Sequence, residues 1–148
     1  RDFTVMIDYA HNPDSFINII TTAKAFAKRT VFLFGCGGDR DRTKRPEMGK
    51  IAQKMADRII VTSDNSRTEK TADIMADIKE GMDTSGKAKS LFIEDREEAI
   101  RTAIMIASQG ATILLAGKGH ETYQIIGTEK RHFDERQIIT EIFANLEQ

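Results

Sequence analysis

The sequence predicts one α/β domain: a parallel sheet covered by helices on both faces. Three observations lead there. Short runs rich in β-branched and aromatic residues alternate with helix-patterned segments along the chain. Runs such as TVFLFG and ATILLAG are apolar almost throughout, as strands buried on both faces are. A length of 148 residues is enough for one domain with its own core.

Taken in order, Phe3–Asp8 (FTVMID) reads as a strand and Pro13–Lys28 as a helix with Phe16, Ile19, Ile20, Ala23 and Ala27 on one face. Asn12 before Pro13 is a cap followed by proline at the first helical position. Thr30–Gly35 is the second strand and Met48–Asp57 the second helix. Arg58–Ser63 (RIIVTS) is a third strand, followed by a helix over about Thr71–Met82. The composition of Asp83–Lys89 (DTSGKAK) is that of a surface loop. Ser90–Glu94 is a short strand, Arg96–Ser108 a helix rich in Ala and Ile, and Ala111–Gly117 a fifth central strand. Tyr123–Ile126 and Lys130–Phe133 flank Gly127-Thr128 as a hairpin would. A last helix covers about Asp134–Leu146. The expected architecture is a Rossmann-like, mostly parallel sheet with helices on both faces and a C-terminal antiparallel edge strand, all within one domain, 1–148.

Composition narrows the function. A net charge of −1 gives no global field that would draw the chain to nucleic acid or an anionic membrane. No apolar run is long enough to span a bilayer. The single cysteine, Cys36, rules out an intrachain disulfide and fits a reducing compartment. A chain that opens on Arg1 directly before a strand is expected to be one domain of a larger protein.

The unusual residues fall at strand ends, where open α/β sheets bind ligands. YAHNPDS follows the first strand, GCGGDRDRTKRP the second, DNSRTEK the third and GKGHETYQ the fifth. Singly, each is an ordinary turn composition. By the same bland standard His11 and His120 read as surface or cap residues, and Arg42, Lys44 and Arg45 as a solvated face. Four polar loops converging on one edge point instead to a site.

Several sharper motifs are absent. GCGGDR has Arg40 where a dinucleotide fingerprint needs its third glycine, and it follows the wrong strand. Lys50, Lys87 and Lys118 each follow a glycine, but none is followed by the Ser or Thr of a phosphate loop. One cysteine and three scattered histidines make no zinc constellation, and no metal site is expected. No Ser-His-Asp arrangement stands at nucleophile spacing, and no catalytic residue is assigned. The recognition groups are more telling. Arg40 and Arg67 are planar forks for carboxylate or phosphate, while Asp64, Asn65 and Glu121 are acceptors for an ammonium. Together they imply a zwitterion carrying an extra acid.

DYAHNPDS, FGCGGDRDRTKRPEMG, SDNSRTEK and AGKGHETYQ together resemble the carboxy-terminal domain of the Mur ligases, in the branch that adds a diamino acid as third residue of the peptidoglycan stem peptide. The resemblance runs from about Val5 to the final helix, and GCGGDRD with GKGHE is its specific part. It implies a bacterial cytoplasmic enzyme whose amino-terminal and central ATPase domains lie outside these residues. It also implies an ATP- and magnesium-dependent reaction joining meso-diaminopimelate to UDP-N-acetylmuramoyl-L-alanyl-D-glutamate through an acyl phosphate. This piece alone is then expected to be inactive. Carried over by position, the diaminopimelate contacts are Arg40, Asp64, Asn65, Ser66, Arg67, Gly117 and Glu121, with Arg67 pairing the distal carboxylate. Asp8, His11 and Asn12 match the segment that faces the nucleotide. Ser66 stands where the family usually has proline.

Two other readings share the fold. A nucleotide-binding or regulatory module would use it without ligation. A folylpolyglutamate synthetase carboxy-terminal domain carries a segment similar to DYAHNPD but no recognisable counterpart of GCGGDRD or DNSR.

Overall fold

A computed structural model of the protein describes residues 3–146. Five strands form a wholly parallel sheet: β1 (Thr4–Asp8), β2 (Arg29–Phe34), β3 (Arg58–Val61), β4 (Ser90–Phe92) and β5 (Ala111–Ala116), in the order β1-β5-β2-β3-β4. Between them run α1 (Pro13–Lys24), α2 (Lys44–Met55), α3 (Thr71–Lys79), α4 (Thr84–Ala88) and α5 (Arg96–Ile106). The chain closes with β6 (Tyr123–Ile126), β7 (Glu129–His132) and α6 (Glu135–Leu146).

The continuous apolar strands are explained by two cores. Phe32, Phe34, Ile59, Val61, Leu114 and Ala116 face one way, into α1, α2 and α3. Their alternates Val31, Leu33, Ile60, Ile113 and Leu115 face the other, into α5 and α6. Period-two alternation therefore buries both sides of each central strand. Phe16 of α1 meets Phe32 and Phe34 edge-on at 4.8 and 5.0 Å, anchoring that helix. The chain crosses the sheet in one direction through α1–α3 and returns through α5. Right-handed crossovers therefore put the outgoing and returning helices on opposite faces.

Three expectations need correction. The antiparallel element is not an edge strand of the main sheet; β6 and β7 form a sheet of their own. Their exposed residues (every β7 position among them) could not be buried at a covered edge. The hairpin instead touches the loop after β3 through a bridge between Arg67 and Ile126. Asp83–Lys89 is not wholly a loop: the Asp83 side chain accepts from the Gly86 amide and caps the short α4. Helix α2 starts at Lys44, four residues before the expected Met48, because proline is tolerated in a first turn that needs no donor at that place. Among the described residues, no helix is long and apolar enough to cross a membrane.

Candidate substrate-binding site

The loops following β1, β2, β3 and β5 meet over the carboxyl edge of the sheet and line a cavity of about 420 Å³. Its walls include Tyr9 and His11 from the first loop, Arg40 from the second with Lys44 at the start of α2, Asp64, Asn65 and Arg67 from the third, and Gly117 with Glu121 from the last.

Glycines let these loops touch backbone to backbone. A side chain on Gly38 would run into the Ser66 carbonyl, so the second and third loops could not close on each other, as the Gly38 N–H bond to Asn65 O (2.8 Å) requires. Gly117 has φ +113°, and a Cβ there would lie 2.7 Å from Asp64 Oδ2. Asp39 adds side-chain stitches: its carboxylate accepts from the Thr68 hydroxyl (2.6 Å) and amide, while its own amide donates to Glu69 (2.6 Å).

Arg67 is held from both sides. Its backbone takes the left-handed conformation, φ 53°. Its amide donates to Ile125 O (3.1 Å), and its carbonyl accepts from Gly127 (2.6 Å). In the side chain, Nη1 donates to the carbonyls of Gly38 (3.1 Å) and Asn65 (3.3 Å). The rest of the fork makes no bond among the described residues, and the side chain lines the cavity.

Arg45 is not part of a solvated face, although Arg42 and Lys44 are exposed; it is 1% exposed. It pairs bidentately with Glu69 (3.0 and 2.6 Å), donates to Asp77 (3.0 Å) and reaches Gly37 O (3.0 Å). The Arg45 pair, with the bond from the Asp39 amide, holds the Glu69 carboxyl down at about 2. Cys36 also lines the cavity, but burial pushes its thiol up to about 12, so it stays protonated and packs against Met48 (Sγ–Sδ 3.7 Å).

The other expected residues divide by position. Ser66 is buried and its hydroxyl shares a 2.6 Å bond with Thr71, turned to the start of α3 rather than the cavity. Asn12 is spent on the α1 capping box with Ser15. The Asp8 carboxylate accepts from the Ala10 amide. His11 Nδ1 donates to the Tyr9 carbonyl at 2.8 Å, which leaves Nε2 without a partner among the described residues at the rim. His120 and Arg136 meet at 3.4 Å outside the cavity lining.

Asn65 needs a correction in its chemistry. Its Oδ1 already accepts from Lys118 Nζ (3.0 Å) and the Ile125 amide (3.0 Å), so it has no lone pair left for a ligand ammonium. Its amide nitrogen faces Glu121 Oε1 at 3.5 Å.

Lys118, Gln124 and Arg96 were missed by sequence reasoning. Lys118 is fully buried. Gln124 donates to Ser63 Oγ (2.7 Å) and Asp64 O (2.9 Å). Arg96 donates to the carbonyls of Ser63 and Ala116 (2.9 Å each) and to Glu135 (2.8 Å), directly beneath Asp64 and Gly117. A lysine inside a glycine-rich strand end was the only available signal for any of these.

Four laced strand-end loops over the carboxyl edge of a parallel sheet thus bring Arg40 and Arg67 together with Asp64 and Glu121 around one cavity. Residues 1–119 match the family described as Mur ligase, glutamate ligase domain, and the chain belongs to that family. It is 54% identical over 138 residues, 93% of its length, to UDP-N-acetylmuramoyl-L-alanyl-D-glutamate–2,6-diaminopimelate ligase of Trichormus variabilis. The enzyme of the same name from Caldanaerobacter subterraneus subsp. tengcongensis is 52% identical over 148 residues, 99% of the chain. The chain spans 27% and 30% of the length of these two relatives. A solved structure of a ligase of that name superposes with TM-score 0.94 at 40% identity, over 100% of this chain and 31% of the other. A bifunctional folylpolyglutamate synthase/dihydrofolate synthase from Yersinia pestis shares the fold alone, with TM-score 0.59 and 14% identity over 97% of this chain and 28% of the other.

Proposed function

We propose that this chain is the amino-acid-presenting carboxy-terminal domain of an ATP-dependent ligase that joins meso-diaminopimelate to UDP-N-acetylmuramoyl-L-alanyl-D-glutamate in the bacterial cytoplasm. The observation that carries this is the lining of one cavity by the Arg67 fork together with the carboxylates of Asp64 and Glu121. The distal carboxylate of the diacid pairs with Arg67, the distal ammonium with Asp64 and Glu121, and Arg40 adds a second cation. So held, the reacting amine is presented to the acceptor carbonyl in a fixed orientation, which is the domain's contribution to rate. ATP with magnesium would supply the activation: its γ-phosphoryl group passes to the acceptor carboxylate with release of ADP, and the amine then displaces phosphate and gives up a proton as the amide forms.

The groups of the first loop suit part of a nucleotide. Tyr9, 55% exposed, and His11 lie edge to face at 4.8 Å, offering an aromatic surface and a ring nitrogen at the cavity rim. Asp8 lies at the same strand end. They suit a base or ribose better than a triphosphate, whose cradle belongs to a central domain of the same protein. The Asn12 side chain, committed to its helix cap, acts on this segment only by fixing its shape.

Competition between diaminopimelate and lysine tests the assignment in the full-length enzyme. Lysine lacks the carboxylate for Arg67 and should be used poorly. Arg67→Ala should lower kcat/KM for diaminopimelate by about 2–4 kcal/mol, the range for truncating one partner of a charged hydrogen bond. Lysine use should stay low, so the preference collapses. Arg67→Lys should rescue little, because an ammonium cannot reproduce the fork. A preference that survives in Arg67→Ala would remove Arg67 from the role of selector.

A further inference from the structure

Lys118 lies 0% exposed at the floor of the loop cluster, and each of its three N–H donors has a partner: Asp64 Oδ1 (3.1 Å), Asn65 Oδ1 (3.0 Å) and the Tyr123 carbonyl (3.1 Å). Glu121 Oε1 stands 3.6 Å away as an ion pair. A buried ammonium is tolerated only with such compensation. What matters is which atoms compensate it. Asp64 and Glu121 each give one oxygen to Lys118, and Asp64 Oδ1 also takes the Asn65 amide (2.9 Å). Asp64 Oδ2 and Glu121 Oε2 have no donor among the described residues. Two carboxylates and one lysine leave one net negative charge, enough for one ammonium.

We propose that Lys118 is the positioning residue of the ammonium subsite: it turns one oxygen of Asp64 and one of Glu121 inward, sets the subsite's charge to accept a single ammonium, and ties it through Tyr123 to the β6–β7 hairpin. It touches no ligand itself. Together with the Ile125 amide it also pins Asn65 Oδ1, so the side-chain amide presents its nitrogen to Glu121 and cannot compete for the ligand's proton donors. Without Lys118 the two carboxylates repel each other and the Asn65 side-chain oxygen is held by the Ile125 amide alone, and the subsite loses its shape while Arg67, anchored by Gly38 and Ile125, keeps its own. The assignment rests on the diaminopimelate reading above.

The test compares diaminopimelate with 2-aminopimelate, which keeps both carboxylates and lacks only the distal amine. In the full-length enzyme, Lys118→Met should raise KM for diaminopimelate roughly 10- to 100-fold, as expected when charged hydrogen-bond partners are left unmatched. The inhibition constant of 2-aminopimelate and KM for ATP should stay within about threefold, because neither uses the ammonium subsite. General structural damage would weaken both amino acids alike, and that result, or an unchanged KM, overturns the proposal. Lys118→Gln, uncharged but able to donate, should fold where Met does not and show the same selective loss. If neither variant folds, Lys118 belongs to the fold and the proposal falls. Failure of the wild-type enzyme to use diaminopimelate would instead overturn the parent assignment, since no Lys118 variant is involved in that measurement.

Discussion

Glu69 accepts from both terminal nitrogens of Arg45 and from the Asp39 amide, and these bonds hold its carboxyl at about 2 against an ordinary value of 4.5. Between those values the unfolded chain binds a proton that the folded chain does not. Stability from this group is therefore fully present above about 4.5 and is lost as pH falls toward 2. Urea unfolding from pH 5 down to the lowest accessible pH should show this decline. Glu69→Gln should be less stable at neutral pH and flatter through the acid window. A variant whose profile keeps the wild-type slope would assign the decline to other carboxylates.

At the scale of elements, Arg96 joins three pieces of chain from the first turn of α5. It holds the carbonyls of Ser63 after β3 and Ala116 at the end of β5, and it pairs with Glu135 at the start of α6. The next residues, Asp64 and Gly117, face the cavity, so the height of two site loops above the sheet depends on one guanidinium. Arg96 and Glu135 are 0% and 1% exposed, and removing one charge leaves the other buried and unpaired. Arg96→Met should cost about 3–5 kcal/mol in chemical denaturation. Adding Glu135→Leu should restore only part, because two carbonyls remain without a donor. A cost under about 1 kcal/mol for the single change would mean that water reaches the pair, as for exposed ion pairs.

At the scale of the whole molecule, two helical layers on a parallel sheet make a rigid platform whose loops gather recognition groups. No Gly-Lys-Thr or Gly-Lys-Ser occurs in its 148 residues. A triphosphate with its magnesium finds no cradle of that kind here. The isolated chain, supplied with ATP, diaminopimelate and the acceptor, should release ADP only at background. Sustained ADP release in step with amide formation would show that it carries the activating chemistry itself.

Local pattern carried much of this protein. Apolar runs at TVFLFG and ATILLAG, the Asn12-Pro13 cap and polar residues clustered after strands were enough for the layers, the order of all elements but α4, and the edge on which the polar loops gather. Periodicity and capping act within a few residues, so they are legible in one dimension. Arg45 and Lys118 were not legible, because a charged residue looks solvated until its partners are known. Glu69 and Asp77 stand 24 and 32 positions from Arg45, and Asp64 stands 54 from Lys118. The same limit hid the turn of the buried Ser66 toward Thr71 and the capture of Asn65 Oδ1. Each is decided by desolvation: once packing removes water, every buried donor and charge must find a protein partner, and only the tertiary structure determines which one is near.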